Sequence, residues 1–128
     1  MDATTGGLTD AQQQAVSQTE GPVLVLAGPG SGKTTVVTRR ISHLIESGIP
    51  PWQILALTFT NKAAGEMRDR VLALIDEEKV NVRGLTVSTF HAFCARILRQ
   101  WGDRIIGTNT FTIYDTSDQK SAVKEAIK

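Results

Sequence analysis

The chain is expected to be an α/β fold on a parallel sheet, and three observations predict it. Short apolar runs of strand length alternate with amphipathic stretches of helix length, the arrangement that threads crossover helices between parallel strands. One of those runs leads directly into a glycine-rich loop that opens a helix. The 128 residues are 41% hydrophobic and 21% charged, an ordinary globular composition that allows a modest core.

The elements follow in order. Thr9, with Gln12 three residues on, forms a capping-box pattern and opens a short helix to about Ser17. Gly21 and Pro22 end that region, and Val23 to Leu26 is a continuous apolar run expected to be a strand covered on both faces. After the glycine loop, Val37, Ile41, Leu44 and Ile45 share one helical face, and Gly48, Pro50 and Pro51 supply a stop. Ile54 to Phe59 reads as a second strand, and Ala64, Met67, Val71 and Leu74 mark the helix after it. Leu85 to Ser88 is a third strand candidate. Phe90, Phe93, Ile97 and Trp101 then repeat at helical spacing. Phe111 to Tyr114 is expected as one more short strand and Thr116 to Lys128 as a last helix. Cys94 reads as packing, Trp52 and Trp101 as core anchors, and Asp76-Glu77-Glu78-Lys79 as a solvated helix end.

Bulk properties exclude several classes. A net charge of +1 does not announce a nucleic-acid partner by itself. Cys94, the single cysteine, with His43 and His91 is too little for a structural zinc site or a disulfide framework. Met1 to Gly7 has neither the basic nor the apolar region of a signal peptide, and no apolar run approaches the roughly 18 residues of a membrane span. A cytoplasmic location is the expectation.

Ala27-Gly28-Pro29-Gly30-Ser31-Gly32-Lys33-Thr34 matches the phosphate-binding pattern G-x-x-x-x-G-K-S/T, with Ala27 in place of the first glycine. The motif follows an apolar run and opens an amphipathic helix, as its chemistry requires. Gly28, Gly30 and Gly32 can take positive φ and turn successive N–H groups inward, and the helix N-terminus adds its positive dipole end. Lys33 is placed to bridge the β- and γ-phosphates of a nucleotide, and the Thr34 hydroxyl to ligate Mg²⁺. A P-loop alone does not name the reaction, because small-molecule kinases, GTPases and motor ATPases share it.

Further motifs separate those classes. Leu8-Thr9-Asp10-Ala11-Gln12-Gln13-Gln14-Ala15-Val16 resembles the Q motif of superfamily 1 DNA helicases of the UvrD/Rep type, and Ala27 to Thr34 resembles their motif I. Leu57-Thr58-Phe59-Thr60-Asn61-Lys62-Ala63-Ala64, with Glu66-Met67, resembles motif Ia; Val87-Ser88-Thr89-Phe90-His91, with Ala95-Arg96-Ile97-Leu98, resembles the next DNA-contacting segment. Four motifs in the family order cover most of residues 8 to 101.

The resemblance implies the N-terminal portion of a RecA-like P-loop NTPase domain over residues 1–128, with about 115–128 entering an inserted helical subdomain. It implies ATP and Mg²⁺ as cofactors, single-stranded and duplex DNA as partners, and ATP-driven translocation and unwinding by the intact protein. Gln12, whose amide donates and accepts at once, suits the adjacent N6 amine and N7 acceptor of adenine; a helix-surface glutamine beside Gln13 and Gln14 is the reading the residues alone would favour. Thr35 stands where many relatives carry an arginine. Phe59, Thr60, Asn61 and Lys62 leave the C-terminal end of an expected strand, where ligands gather in open α/β sheets, and Thr89, Phe90 and His91 stand at the equivalent corner. Aromatic faces with hydroxyl, amide and cationic groups are what a single-strand binder needs. Phe59 and Phe90 as core residues, and Asn61 and Thr89 as helix caps, is the other reading these residues leave open. No apolar strand ends in an Asp-Glu pair anywhere in the chain, so the acids that complete hydrolysis are expected in the remainder of the polypeptide, and these residues alone are not expected to unwind DNA. A helicase-nuclease subunit with the same beginning, or a small-molecule kinase, are the alternatives.

Overall fold

A computed structural model describes residues 7–30, 32–75 and 81–128. Ser31 and the acidic run Asp76-Glu77-Glu78 with Lys79 lie outside the described residues. The chain divides into two compact units, Met1–Phe90 and His91–Lys128.

In the first unit, helix α1 (Asp10–Ser17) starts at the capping box read from the sequence, with Thr9 and Gln12 each accepting the other's backbone N–H. Helix α2 (Lys33–Glu46) ends in a Schellman closure: the Ile49 N–H donates to the Leu44 carbonyl at 3.1 Å and the Gly48 N–H to the Ile45 carbonyl at 3.0 Å. Gly48 turns the chain there with a φ of 99°. A 3₁₀ turn at Pro51–Gln53 leads into strand β1 (Leu55–Thr58), followed by helix α3 (Asn61–Leu74) and strand β2 (Thr86–Thr89). The strands pair in parallel, Leu55 opposite Thr86 through Thr58 opposite Thr89, with α3 as the crossover.

The core of this unit joins the α2 face to the sheet and α3. Ile41 and Ile45 meet Ile54 and Ala56 from the β1 side and Met67 and Val71 from α3. Val71 is fully buried, which stabilises the unit by roughly 1.5–3 kcal/mol relative to an exposed valine. Ser42, on the same side of α2, is also fully buried, and its hydroxyl has no hydrogen-bond partner among the described residues.

Two expectations fail here. Val23 to Leu26 does not join the ladder, and Leu24 and Leu26 are 84% and 86% exposed. An apolar run becomes a buried strand only with a hydrogen-bonded neighbour and covered faces, and the described sheet consists of β1 and β2 alone. Trp52 is not a core anchor: its side chain is 68% exposed, and Gly84 packs so tightly against its Cβ that a side chain at residue 84 would collide with it.

The second unit begins within helix α4 (Phe90–Ile105) and ends in α5 (Thr116–Ile127). The turn after α4 folds back on Gly102, where an added Cβ would run into the Thr108 carbonyl oxygen. Arg99 lies over the Phe111 ring, 5.6 Å from its centroid, so this segment is held by a side chain rather than by strand pairing, and the strand expected at Phe111 to Tyr114 does not form. Cys94 is exposed, as is Trp101 beneath the Arg104 guanidinium, because the amphipathic α4 has few covering elements within its unit. Asp115 caps α5 in a second capping box with Asp118. The Asp118 backbone N–H holds the Asp115 carboxyl below the usual carboxylate range. No helix among the described residues is long and apolar enough to cross a membrane.

Candidate nucleotide and nucleic-acid site

The phosphate loop is shaped by its backbone. Gly30 and Gly32 take φ of 73° and 79°, the left-handed region open to glycine, whereas Gly28 does not, which corrects the expectation that all three glycines turn this way. Gly32 is the N-cap of α2 and offers no side-chain cap, so the first-turn N–H groups at Lys33, Thr34 and Thr35 start a helix whose donors face a potential anion. Intrahelical bonding begins with the Val36 N–H to the Gly32 carbonyl at 3.0 Å. Lys33 and Thr34 are exposed, and Thr35 is half-buried with its carbonyl accepting from the Thr38 hydroxyl at 3.0 Å.

Gln12 stands next to this loop. Its Oε1 accepts the Thr9 N–H at 3.0 Å, and its Nε2 lies so close to Gly32 that an added Cβ there would stand 3.2 Å away. The capping box therefore sets the amide's orientation and brings its nitrogen to the phosphate loop. Between α1, the loop and α2 lies a cleft of about 740 Å³, bounded by Gln12, Ala27, Gly28, Lys33, Val37 and Arg40. That volume is in the range of sites that hold small ligands, about 300–1,000 Å³. Pro29 lies in the turn between Gly28 and Gly30 and does not line the cleft.

The second group of sequence-marked residues gathers at the C-terminal ends of β1 and β2. Phe59 is 88% exposed and Phe90 45%, and their ring centroids are 5.5 Å apart with the planes tilted by 37°. Neither is a core residue. Thr60, rather than Asn61, is the N-cap of α3, its hydroxyl accepting the Ala63 N–H at 3.1 Å, and Asn61 and Lys62 are exposed in the first helical turn. Thr89 is buried, and His91 is exposed at the start of the second unit.

Arg40 escaped the sequence reading. Its Nη1 donates to the Ala15 carbonyl at 2.7 Å and also to the Gln18 carbonyl, tying α2 to the end of α1. A signal was available: Lys33, Val36, Val37 and Arg40 form an i, i+3, i+4, i+7 stripe on α2, and all four line the cleft.

A family profile described as the UvrD/REP helicase N-terminal domain matches residues 8–128, nearly the whole chain. The chain belongs to the UvrD/REP helicase family. Among curated UvrD/REP relatives, an ATP-dependent DNA helicase PcrA from Leuconostoc citreum is 52% identical over 124 residues, 96% of this chain and 16% of that protein. Proteins of the same name from Staphylococcus epidermidis and Staphylococcus aureus are 49% and 46% identical, each over all of this chain and 17% of their own length. The chain thus spans about a sixth of the length of the UvrD/REP relatives it matches.

Proposed function

We propose that this chain is the nucleotide-binding opening of an ATP-dependent DNA helicase, within the first RecA-like domain of a cytoplasmic motor that translocates on single-stranded DNA and separates duplex. The observation that carries the reading is the cleft in which one amide, Gln12, and a phosphate loop with an uncapped helix N-terminus face the same space.

The roles follow from the residues. The N–H groups that open α2, with the loop from Ala27 through Gly32, bind the triphosphate, and Lys33 bridges its outer phosphates as a point charge. Thr34 is positioned to ligate Mg²⁺, which when bound neutralises charge on the phosphate oxygens. Gln12 reads the adenine edge, and the apolar wall at Val36 and Val37 excludes water from the ring. Phe59 and Phe90 offer base-stacking faces, with Asn61 and Lys62 available to the backbone; the buried Thr89 and the capping Thr60 hold the two strand ends in shape. The remaining acids, the group that positions water and a second motor domain belong to the rest of the polypeptide, so these 128 residues alone bind nucleotide weakly and do not unwind.

Lys33→Ala in the full-length protein tests the reading. Binding of a fluorescent ATP analogue is expected to fall by about 2–3 kcal/mol, the value of one charge-assisted contact, with the melting temperature unchanged. Equal affinity in variant and parent removes the phosphate role from this loop.

A further inference from the structure

The helix that carries Gln12 is short, and its far end is closed by a group from another helix. Eight residues make an α-helix that is marginal by itself. The capping box satisfies its N-terminus, and the Gln14 carbonyl accepts the Gln18 N–H at 3.0 Å, but that last turn, Gln14 to Ser17, carries no basic side chain of its own, and the Ala15 and Gln18 carbonyls lie beyond the last helical donor. Arg40 provides both from α2. One guanidinium nitrogen bridges the Ala15 and Gln18 carbonyls, and the positive charge stands at the negative end of the α1 dipole. Between the two helices Val36 packs on Ala15 and Val16, so the contact has an apolar centre and a polar clasp. The same α2 face bears Lys33 at one end and Arg40 at the other.

We propose that Arg40 is a positioning residue for base selection: it clasps α1 to α2 and thereby sets where the Gln12 amide stands above the phosphate loop. The proposal rests on the adenine-reading role given to Gln12 above. Without the clasp, α1 retains its N-terminal cap and the Val16 contact but is free to pivot about them. Hydrogen bonds to a base edge tolerate little displacement, because they weaken steeply as distance and angle depart from optimum. The triphosphate contacts come from the loop and the start of α2 and do not pass through α1. Loss of Arg40 therefore acts on the choice between adenine and guanine and spares what the two nucleotides have in common.

The test measures kcat/KM for ATP and for GTP with single-stranded DNA present, in the full-length protein. Gln12→Ala defines the complete loss of preference. Arg40→Met is expected to lower the ATP/GTP ratio by roughly 3- to 30-fold, the range for one weakened polar contact, through the KM for ATP with kcat nearly constant. Gln12→Ala/Arg40→Met is expected to have the ratio of Gln12→Ala alone. Arg40→Lys, which keeps the charge but replaces the planar fork by one ammonium, is expected in between. Reduced folding lowers both rates together and leaves the ratio where it was, so the ratio separates positioning from general stability. A parental ratio in Arg40→Met beside a collapsed one in Gln12→Ala overturns the proposal, as does an additive loss in the double variant. A parental ratio in Gln12→Ala removes the adenine reading itself, and the role of Arg40 with it. Should Arg40→Met yield no folded protein, Arg40→Lys carries the comparison, and a parental ratio there overturns the proposal.

Discussion

Phe59→Ala separates the nucleic-acid reading from a structural one more cleanly than any other change. At 88% exposure the Phe59 ring has almost nothing to lose on the protein side except its tilted contact with Phe90. A buried aromatic pair is worth about 0.5–1.5 kcal/mol, and with one ring this exposed the lower end applies, so the variant should melt within a few degrees of the parent. The base-stacking face, by contrast, disappears entirely. One lost base stack costs about 1–3 kcal/mol, a weakening of roughly 5- to 150-fold in Kd. Fluorescence anisotropy with a labelled oligothymidylate, at one fixed salt concentration because phosphate contacts are salt-dependent, measures it directly. Binding of an ATP analogue without DNA should be unchanged, and DNA-stimulated ATPase should fall with DNA affinity. A variant that melts well below the parent while its folded fraction binds DNA normally would refute the reasoning and make Phe59 a packing residue.

Three further outcomes are expected. Gly32→Ala should weaken ATP-analogue binding about tenfold or more, because it forces a side chain into a φ of 79° at the α2 N-cap and against the Gln12 amide; unchanged binding would show that neither matters to the nucleotide. Ser42→Ala should raise the unfolding free energy by about 1 kcal/mol, since it deletes a fully buried hydroxyl without a partner and replaces it with a better helix former; a lower midpoint in urea would mean the hydroxyl is bonded in solution. The Asp115 cap is pH-dependent: its folded-state pKa is depressed, so its contribution to α5 is present above the unfolded-state pKa and lost as the pH falls through the folded value. Protection of the Asp118 amide, measured against its intrinsic exchange rate at each pH, should therefore fall on acidification in the parent and fall less in Asp115→Asn, whose amide oxygen caps without titrating.

What the sequence revealed of the fold and the site divides along the range of the interactions involved. The phosphate loop, both strand-to-helix corners and the box at Thr9 and Gln12 are set by residues within a few positions of one another, and glycine, lysine and hydroxyl spacing reports them directly. The α2 stop is equally local, because Gly48 closes onto the carbonyl three residues before it and Ile49 onto the one five before it. Val23 to Leu26 has strand composition, yet pairing is a property of neighbours that no window of residues contains. Trp52 and Cys94 have the composition of core residues, but burial depends on what covers them. Arg40 reaches carbonyls 22 and 25 residues away, a distance at which pattern carries no information about partners, although its place on the α2 stripe marked it as facing the cleft.

The open apolar run before the phosphate loop also bears on how the chain behaves in concentrated solution. Val23 through Gly28 is six residues without a charge, rich in β-branched and aliphatic side chains, with two leucines facing water. Segments of that kind are templates for intermolecular strand addition, and self-association through them rises with concentration. Pro22 before the run and Pro29 just after it act as gatekeepers, since neither has an N–H to extend a ladder. They keep a pairing ladder from extending past the run on either side, so that any self-association through this exposed stretch is confined to these six residues.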